Sequence, residues 1–390
     1  MTIGAISTLH DVRANLLGFS FYGVVRATGI DQERLALLEK DNSSITLWES
    51  EALGELYGVD GEALAEEHPR VPPHTVVSAL ASTDEFHTIG DSVRARVIAV
   101  ANAAREIVRL RSLLGITPPE LEKIDVSTQD VAYKVGARAA QLARDRFGLD
   151  DHAILSMRDL FREALPGADL LYAHLGPDGP AGLTFASPAF GPVVALNLDG
   201  RNTNPCVRRF SLAHELYHLL VDWNHREPIA TLSGWLKDGE QFDREQRANS
   251  FAIRFLCPES KLPYTTDVSE SASKLMVRWG LHYQAARLYL KNERGLSLPG
   301  IPPTDLKVIG AESSWARDEK PDSLDSFPLL ACPPERRTRV AYLAAQAYSR
   351  GLITRDAFAR ALAVSPLENV ECVMDFLGLD PPRERGVEAA

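Results

Sequence analysis

The sequence has little cysteine and no long apolar run. Four cysteines, Cys206, Cys257, Cys332 and Cys372, are scattered through 390 residues without CxxC spacing. A disulfide-stapled scaffold and a cysteine zinc cluster both need closer, paired cysteines, so neither is expected. No apolar stretch approaches the ~18 residues that spanning a bilayer requires, so no membrane partner is expected. The opening MTIGAISTLHDVRANLLG lacks a basic region followed by an apolar core, so no signal peptide is expected. There is no low-complexity tract, and a net charge of −11 gives no global attraction to nucleic acid or to an anionic surface. These absences leave a cytoplasmic globular protein as the expectation. Its 390 residues exceed what one core usually serves, so two or three domains are expected.

What is present is mostly helical pattern. Through residues 1–70, apolar residues recur at helical spacing in LLGFSFYGVVRATG, DQERLALLEKD and LWESEALGELYGVD, with Gly29 and Gly58 where helices end. Short helices joined by tight turns predict a helix-turn-helix bundle. Its charge argues against DNA. Residues 1–70 hold twelve acidic and five basic residues, and Asp31, Glu33 and Glu39 crowd the would-be recognition helix. Phosphate neutralisation needs Lys and Arg, so protein contacts or dimerisation are the favoured use of this bundle.

Pro69, Pro72 and Pro73 mark a boundary. A helical connector over 71–128 follows, with a long helix near 88–114 carrying Arg94, Arg96, Arg105, Arg109 and Arg111, a pattern that usually marks a solvated face. Pro118 and Pro119 punctuate it. Helices over about 129–147 and 156–164 precede strand chemistry: GLTF and VVALNL, split by Ser, Pro and Gly within 181–198, read as a hairpin. A helix over about 241–256 stops at Pro258. A second helix-turn-helix-like module is expected over 263–297. It is basic through Lys274, Arg278, Arg287, Lys291 and Arg294, and reads either as a nucleic-acid or partner contact or as a charged face. A Pro-rich linker over 298–334 leads to a C-terminal helical domain over 335–390, with three amphipathic helices near 335–350, 354–363 and 366–378.

Between the hairpin and the 241–256 helix lies FSLAHELYHLLVDW, residues 210–223. HELYH fits H-E-x-x-H. On a helix, positions i and i+4 share a face roughly 6 Å apart, so His214 and His218 can reach one metal ion. Glu215 is one step round, close enough to touch a metal-activated water without being a ligand; in zinc peptidases that glutamate is the general base. Phe210, Leu212, Ala213, Leu216, Leu219, Leu220 and Val221 surround the motif, so the helix reads as buried nearly all round. Burying two histidines and a glutamate is costly unless they are paired or metal-bound.

A metzincin would need glycine at 221 and histidine at 224; Val221 and Asn224 exclude that class. His225 is one position off and reads as a polar loop residue. A later glutamate is the alternative third ligand, with Glu227, Glu240, Glu245 and Glu259 as candidates. Glu245 stands out, because Ala248, Ala252 and Phe255 or Leu256 follow it at +3, +7 and +10 or +11 and place it on an apolar stripe. The competing reading is a surface partner of Arg244 or Arg247. Asn249, one turn on, could hold a ligand or backbone group in place. Three protein ligands leave a fourth position for water, as a catalytic zinc requires.

The run GLTF…GPVVALNLDGRNTNPCVRRFSLAHELYHLLVDW…EQRANSFAIRFLCP resembles the ImmA/IrrE metallopeptidases. Their pattern is a strand hairpin, then RRFTLAHELGHLLL, then ExxANxFAxxLLMP, and the match covers about 130–260. The resemblance implies an α+β, mostly helical fold: a zincin-like (gluzincin) core over 129–262 with a small antiparallel sheet, flanked by helical helix-turn-helix-type domains. It implies Zn²⁺ on His214, His218 and Glu245, with Glu215 as base. The string ATGIDQERLALLEKDNSSITLWESEALGELYGVDGEAL resembles the Xre/Cro-type helix-turn-helix family through its turn glycine, Leu35, Leu38 and Glu39, and that family binds operator DNA. Such a module at the N-terminus, and a helix-turn-helix after the peptidase, recur in the ImmA/IrrE family. Tyr217 stands where the family commonly has glycine, adding bulk near the site. Asp222 stands where histidine is frequent, one turn beyond His218, where it could accept a hydrogen bond.

The family cleaves helix-turn-helix transcriptional repressors, inducing mobile-element, DNA-damage or defence genes. The resemblance therefore implies an endopeptidase acting on a repressor encoded nearby. The strand VVALNL would offer an open edge to an extended substrate segment. The alternative is a DNA-binding regulator that keeps the fold but acts by binding. A thiolate from Cys206 or Cys332 would silence the enzyme by taking the open metal position; the alternative is that both are inert buried cysteines.

Overall fold

The structure, a computed structural model, describes residues 8–66, 68–69, 71–72, 75–117, 120–234, 240–264, 267–301, 315–316, 319 and 326–382, with backbone alone at 240–241. Pro73, Pro118, Pro119, the Glu240 side chain and most of the 298–334 stretch lie outside the described residues. The chain divides into two compact units. One gathers Met1–Pro118, Leu171–His174 and Asp322–Ala390; the other gathers Pro119–Leu170 and Leu175–Pro321. Most of the chain is helical, and among the described residues no helix is long and apolar enough to cross a membrane.

The first unit begins with short helices: α1 (Phe21–Thr28), α2 (Gln32–Lys40), α3 (Leu47–Tyr57), α4 (Gly61–Ala65), α5 (Val76–Ala81) and α6 (Asp84–Thr88). Their ends are written in local chemistry. Gly29 stops α1 in the left-handed region at φ +72°. Asp31 caps α2 by accepting from the amides of Glu33 and Arg34. Thr46 and Glu49 form a reciprocal capping box at the start of α3. Leu35 and Leu38 are buried. Two of the few cations are already committed: Arg13 pairs with Glu39, and Arg34 Nε lies 2.6 Å from Glu49.

Helix α7 (Asp91–Leu114) is the long helix expected, but its arginines are not one solvated stripe. Arg94 is buried and donates to the carbonyls of Gly18, Phe86 and Ile89, because the loops around it leave carbonyls that need donors. Arg111 is buried too. The last three helices, Arg339–Ser349, Arg355–Ala361 and Glu371–Leu377, fall within the amphipathic segments expected; the first packs on α7.

The second unit holds α8 (Ala132–Arg146), α9 (Met157–Ala164), α10 (Pro205–Tyr217), α11 (Glu240–Leu256), α12 (Val268–Trp279) and α13 (Tyr283–Arg294). The strands are β1 (Asp169–Ala173), of which Leu171–Ala173 count with the first unit, and β2 (Gly182–Ser187), β3 (Gly191–Asn197) and β4 (Ile229–Ser233) of the second, ordered β1-β3-β2-β4. The expected hairpin is present, with β2 and β3 antiparallel from Gly182↔Leu196 to Ser187↔Gly191. β4 pairs antiparallel on the other side of β2. The sheet is mixed, where an antiparallel one was expected. VVALNL lies in β3, inside the sheet between β1 and β2, so it offers no open edge; the outer strands are β1 and β4. Helices α8 and α11 approach so closely at Gly136 that a Cβ there would stand 2.2 Å from the Arg247 carbonyl oxygen.

Part of the stretch expected to be linker is core in this unit. Trp315 and Glu319 are buried, with Glu319 2.5 Å from Arg209 Nη1 and the Arg209 guanidinium over the Trp315 ring at 4.1 Å.

Candidate metal centre

Helix α10 starts at a defined point. Asn204 accepts from the amides of Cys206 and Val207, and Pro205 occupies the first turn, where its missing N–H costs nothing. The helix runs through the HELYH segment to Tyr217, and the chain then widens into a π-turn over His218–Asp222. Such widened turns recur at functional sites. His214, Glu215 and His218 are all buried, Glu215 and His218 completely.

The structure brings His214, His218 and Glu245 together. His214 Nε2 and His218 Nε2 are 3.2 Å apart. Glu245 places Oε2 3.1 Å from His214 Nε2 and Oε1 3.4 Å from His218 Nε2. An ion bound tetrahedrally at about 2.0–2.1 Å separates its ligand atoms by ~3.3 Å. The separation of the two imidazole nitrogens sits near that value, and one ligand atom from each of the three residues lies within 4.8 Å of the others.

The outer nitrogens are occupied. His214 Nδ1 faces Asn249 Oδ1 at 3.1 Å, and His218 Nδ1 faces Asp222 Oδ2 at 2.6 Å. Each is an acceptor, so each ring donates its Nδ1–H outward and turns Nε2 inward. Asn249 and Asp222 thus fix which nitrogens face Glu245. Arg244 Nε lies 3.8 Å from the same Asp222 oxygen.

Burial alone would lower the His218 pKa, but Asp222 and Glu245 outweigh it and raise it to about 9. Burial likewise works against the Glu245 carboxylate, yet His214 and His218 hold it well below the usual carboxylate range. A proton and a metal cation compete for the same inward lone pairs. This buried group could hold a metal ion.

Glu215, adjacent in sequence to His214, is not one of the clustered ligand residues. Its Oε2 accepts from the Thr184 hydroxyl at 2.6 Å, and its Oε1 is buried with no hydrogen-bond partner. Tyr217, the expected source of bulk, is buried with its ring 5.5 Å from Phe251, between α10 and α11, and burial pushes its hydroxyl pKa up.

The other sequence candidates stand apart. Among the described residues, Glu227, Glu259 and His225 are not in the ligand cluster. His225 stacks on Trp223 at 4.1 Å. Neither Cys206 nor Cys332 joins the cluster; both are buried, and burial pushes the Cys332 thiol up to about 12, away from thiolate character. On α12, Lys274 pairs with Glu270 at 2.7 Å, and Arg278 lies over Trp279 at 5.7 Å. On α13, Arg287 donates to Gln284, and Lys291 is exposed.

Sequence reasoning missed Thr184 and Gly182, although both lie in the recognised GLTF strand. Their shared strand face was legible from alternation, but nothing local ties that face to a glutamate 31 residues beyond Thr184. No protein-family model matches the chain, and no curated protein matches it.

Proposed function

We propose that the chain is a zinc-dependent endopeptidase that cleaves a helix-turn-helix transcriptional repressor and thereby derepresses stress, mobile-element or defence genes. The observation that carries this is the clustering of His214, His218 and Glu245, with the next residue in sequence after His214, Glu215, a buried carboxylate that has one oxygen tied and the other without a hydrogen-bond partner. The ligand set of two imidazoles and one carboxylate suits zinc and leaves a coordination position open. The resemblance of HELYH and EQRANSFAIRFLCP to the ImmA/IrrE pattern supports the reading and names the substrate class.

When bound, a zinc ion supplies Lewis acidity and brings the pKa of water near neutrality. His214, His218 and Glu245 would hold it, with Asn249 and Asp222 steadying the two rings. Glu215 would take the proton of the attacking water on its free oxygen and pass it to the departing amine. The edge strand β4, beside β2, is where an extended substrate segment would add by backbone pairing.

The test is co-expression with the helix-turn-helix repressor encoded beside the gene. Cleavage by wild type and intact repressor with Glu215→Gln is the expected result. Intact repressor with wild type, combined with operator binding by this protein alone, would instead favour a regulator that acts by binding.

A further inference from the structure

Strand β2 touches the Glu215 carboxylate at two positions. The Thr184 hydroxyl donates to Oε2 at 2.6 Å within the core. Two residues earlier, on the same strand face, Gly182 offers no side chain; a Cβ there would lie 2.3 Å from Oε1 and 2.7 Å from Cδ. Oε1 is buried without a hydrogen-bond partner. Buried polar atoms are almost always satisfied, so one held bare on the residue next to ligand candidate His214 requires an explanation.

We propose that Thr184 is a positioning residue for Glu215. Its hydroxyl ties one carboxylate oxygen, and the missing side chain at Gly182 leaves room for the other, so that the Glu215 carboxylate is held in one orientation. This rests on the endopeptidase reading above. The last torsion of a glutamate is broad and has no strong staggered preference, so the carboxylate does not orient itself. A charge-assisted hydrogen bond from a fixed donor does so. The donor is fixed because β2 is paired on both sides, with Thr184 opposite Val194 on β3 and Thr231 on β4. Valine at 184 would keep the β-branched shape and lose only the donor.

The experiment compares Thr184→Val, Thr184→Ser and Gly182→Ala with wild type. Three quantities are read: kcat and KM for repressor cleavage, zinc content, and the melting temperature of the metal-free protein. Thr184→Val is expected to lower kcat about 10–100-fold with KM little changed and one zinc retained. Thr184→Ser, which restores a donor, is expected to recover most of kcat. Gly182→Ala is expected to abolish cleavage while retaining zinc. In metal-free protein, Thr184→Val is expected to lower the melting temperature less in a Glu215→Ala background than in wild type, because the hydroxyl's partner is already gone.

Cleavage by wild type with equal kcat in Thr184→Val overturns the positioning role and leaves the endopeptidase reading intact. Equal melting-temperature losses in both backgrounds also overturn it. If wild type cleaves nothing, the endopeptidase reading falls and the positioning role falls with it.

Discussion

Asp222 Oδ2 stands 2.6 Å from His218 Nδ1, one turn further along the same segment, and this contact decides which imidazole nitrogen meets Glu245. The acceptor comes from within the π-turn, so the geometry that widens the chain also brings the aspartate under the ring. Removing the acceptor frees the ring to rotate and lowers its basicity. Asp222→Ala is expected to weaken zinc binding about 10–100-fold, with Asp222→Asn intermediate. Competition against a chromophoric chelator measures this. Wild-type affinity in Asp222→Ala would show that the contact does not hold the ligand.

Glu319 and Arg209 form a buried pair capped by Trp315, with Met157 N–H also donating to the same Glu319 oxygen at 2.8 Å. Removing one partner strands a buried charge. Glu319→Ala is expected to destabilise the second unit by about 3–5 kcal/mol, and Arg209→Met combined with Glu319→Leu to recover much of that. Chemical denaturation followed by tryptophan fluorescence provides the measurement. A loss below about 1 kcal/mol in Glu319→Ala would mean that the pair is not desolvated.

In the first unit, the Arg34 guanidinium, assisted by the Thr46 cap, pulls the Glu49 carboxyl down to about 2 from its ordinary 4.5. A depressed carboxyl stabilises the folded state above its unfolded pKa and loses that contribution as pH falls through its folded pKa. The stability advantage of wild type over Glu49→Gln is therefore expected at pH 6 and is expected to shrink between about 4.5 and about 2. Helicity followed through acid titration of both proteins reads it. A difference that stays constant across that window would rule out the assigned ion pair.

The parts legible in the sequence are those with local causes. His214 and His218 were readable because a helix repeats every four residues. Glu245 was readable because Ala248 and Ala252 mark its stripe. The helix ends at Gly29 and Thr46 followed from turn and capping chemistry. Illegible parts depend on distant pairing. β1 and β4 are five-residue strands, too short for alternation to stand out. The interior position of β3 follows from strand order, which no local pattern encodes. Trp315 and Glu319 sit in a polar, proline-rich stretch whose composition reads as linker, yet Arg209 on α10 gives that stretch a buried partner.

Metal content tests the centre most directly. Purified protein dialysed against zinc and then against buffer is measured for zinc per chain, alongside His218→Ala and Glu245→Ala. One tightly held zinc per wild-type chain, lost in both variants, is expected. Wild type without stoichiometric zinc, or the same content in all three proteins, would contradict a metal centre built from His214, His218 and Glu245.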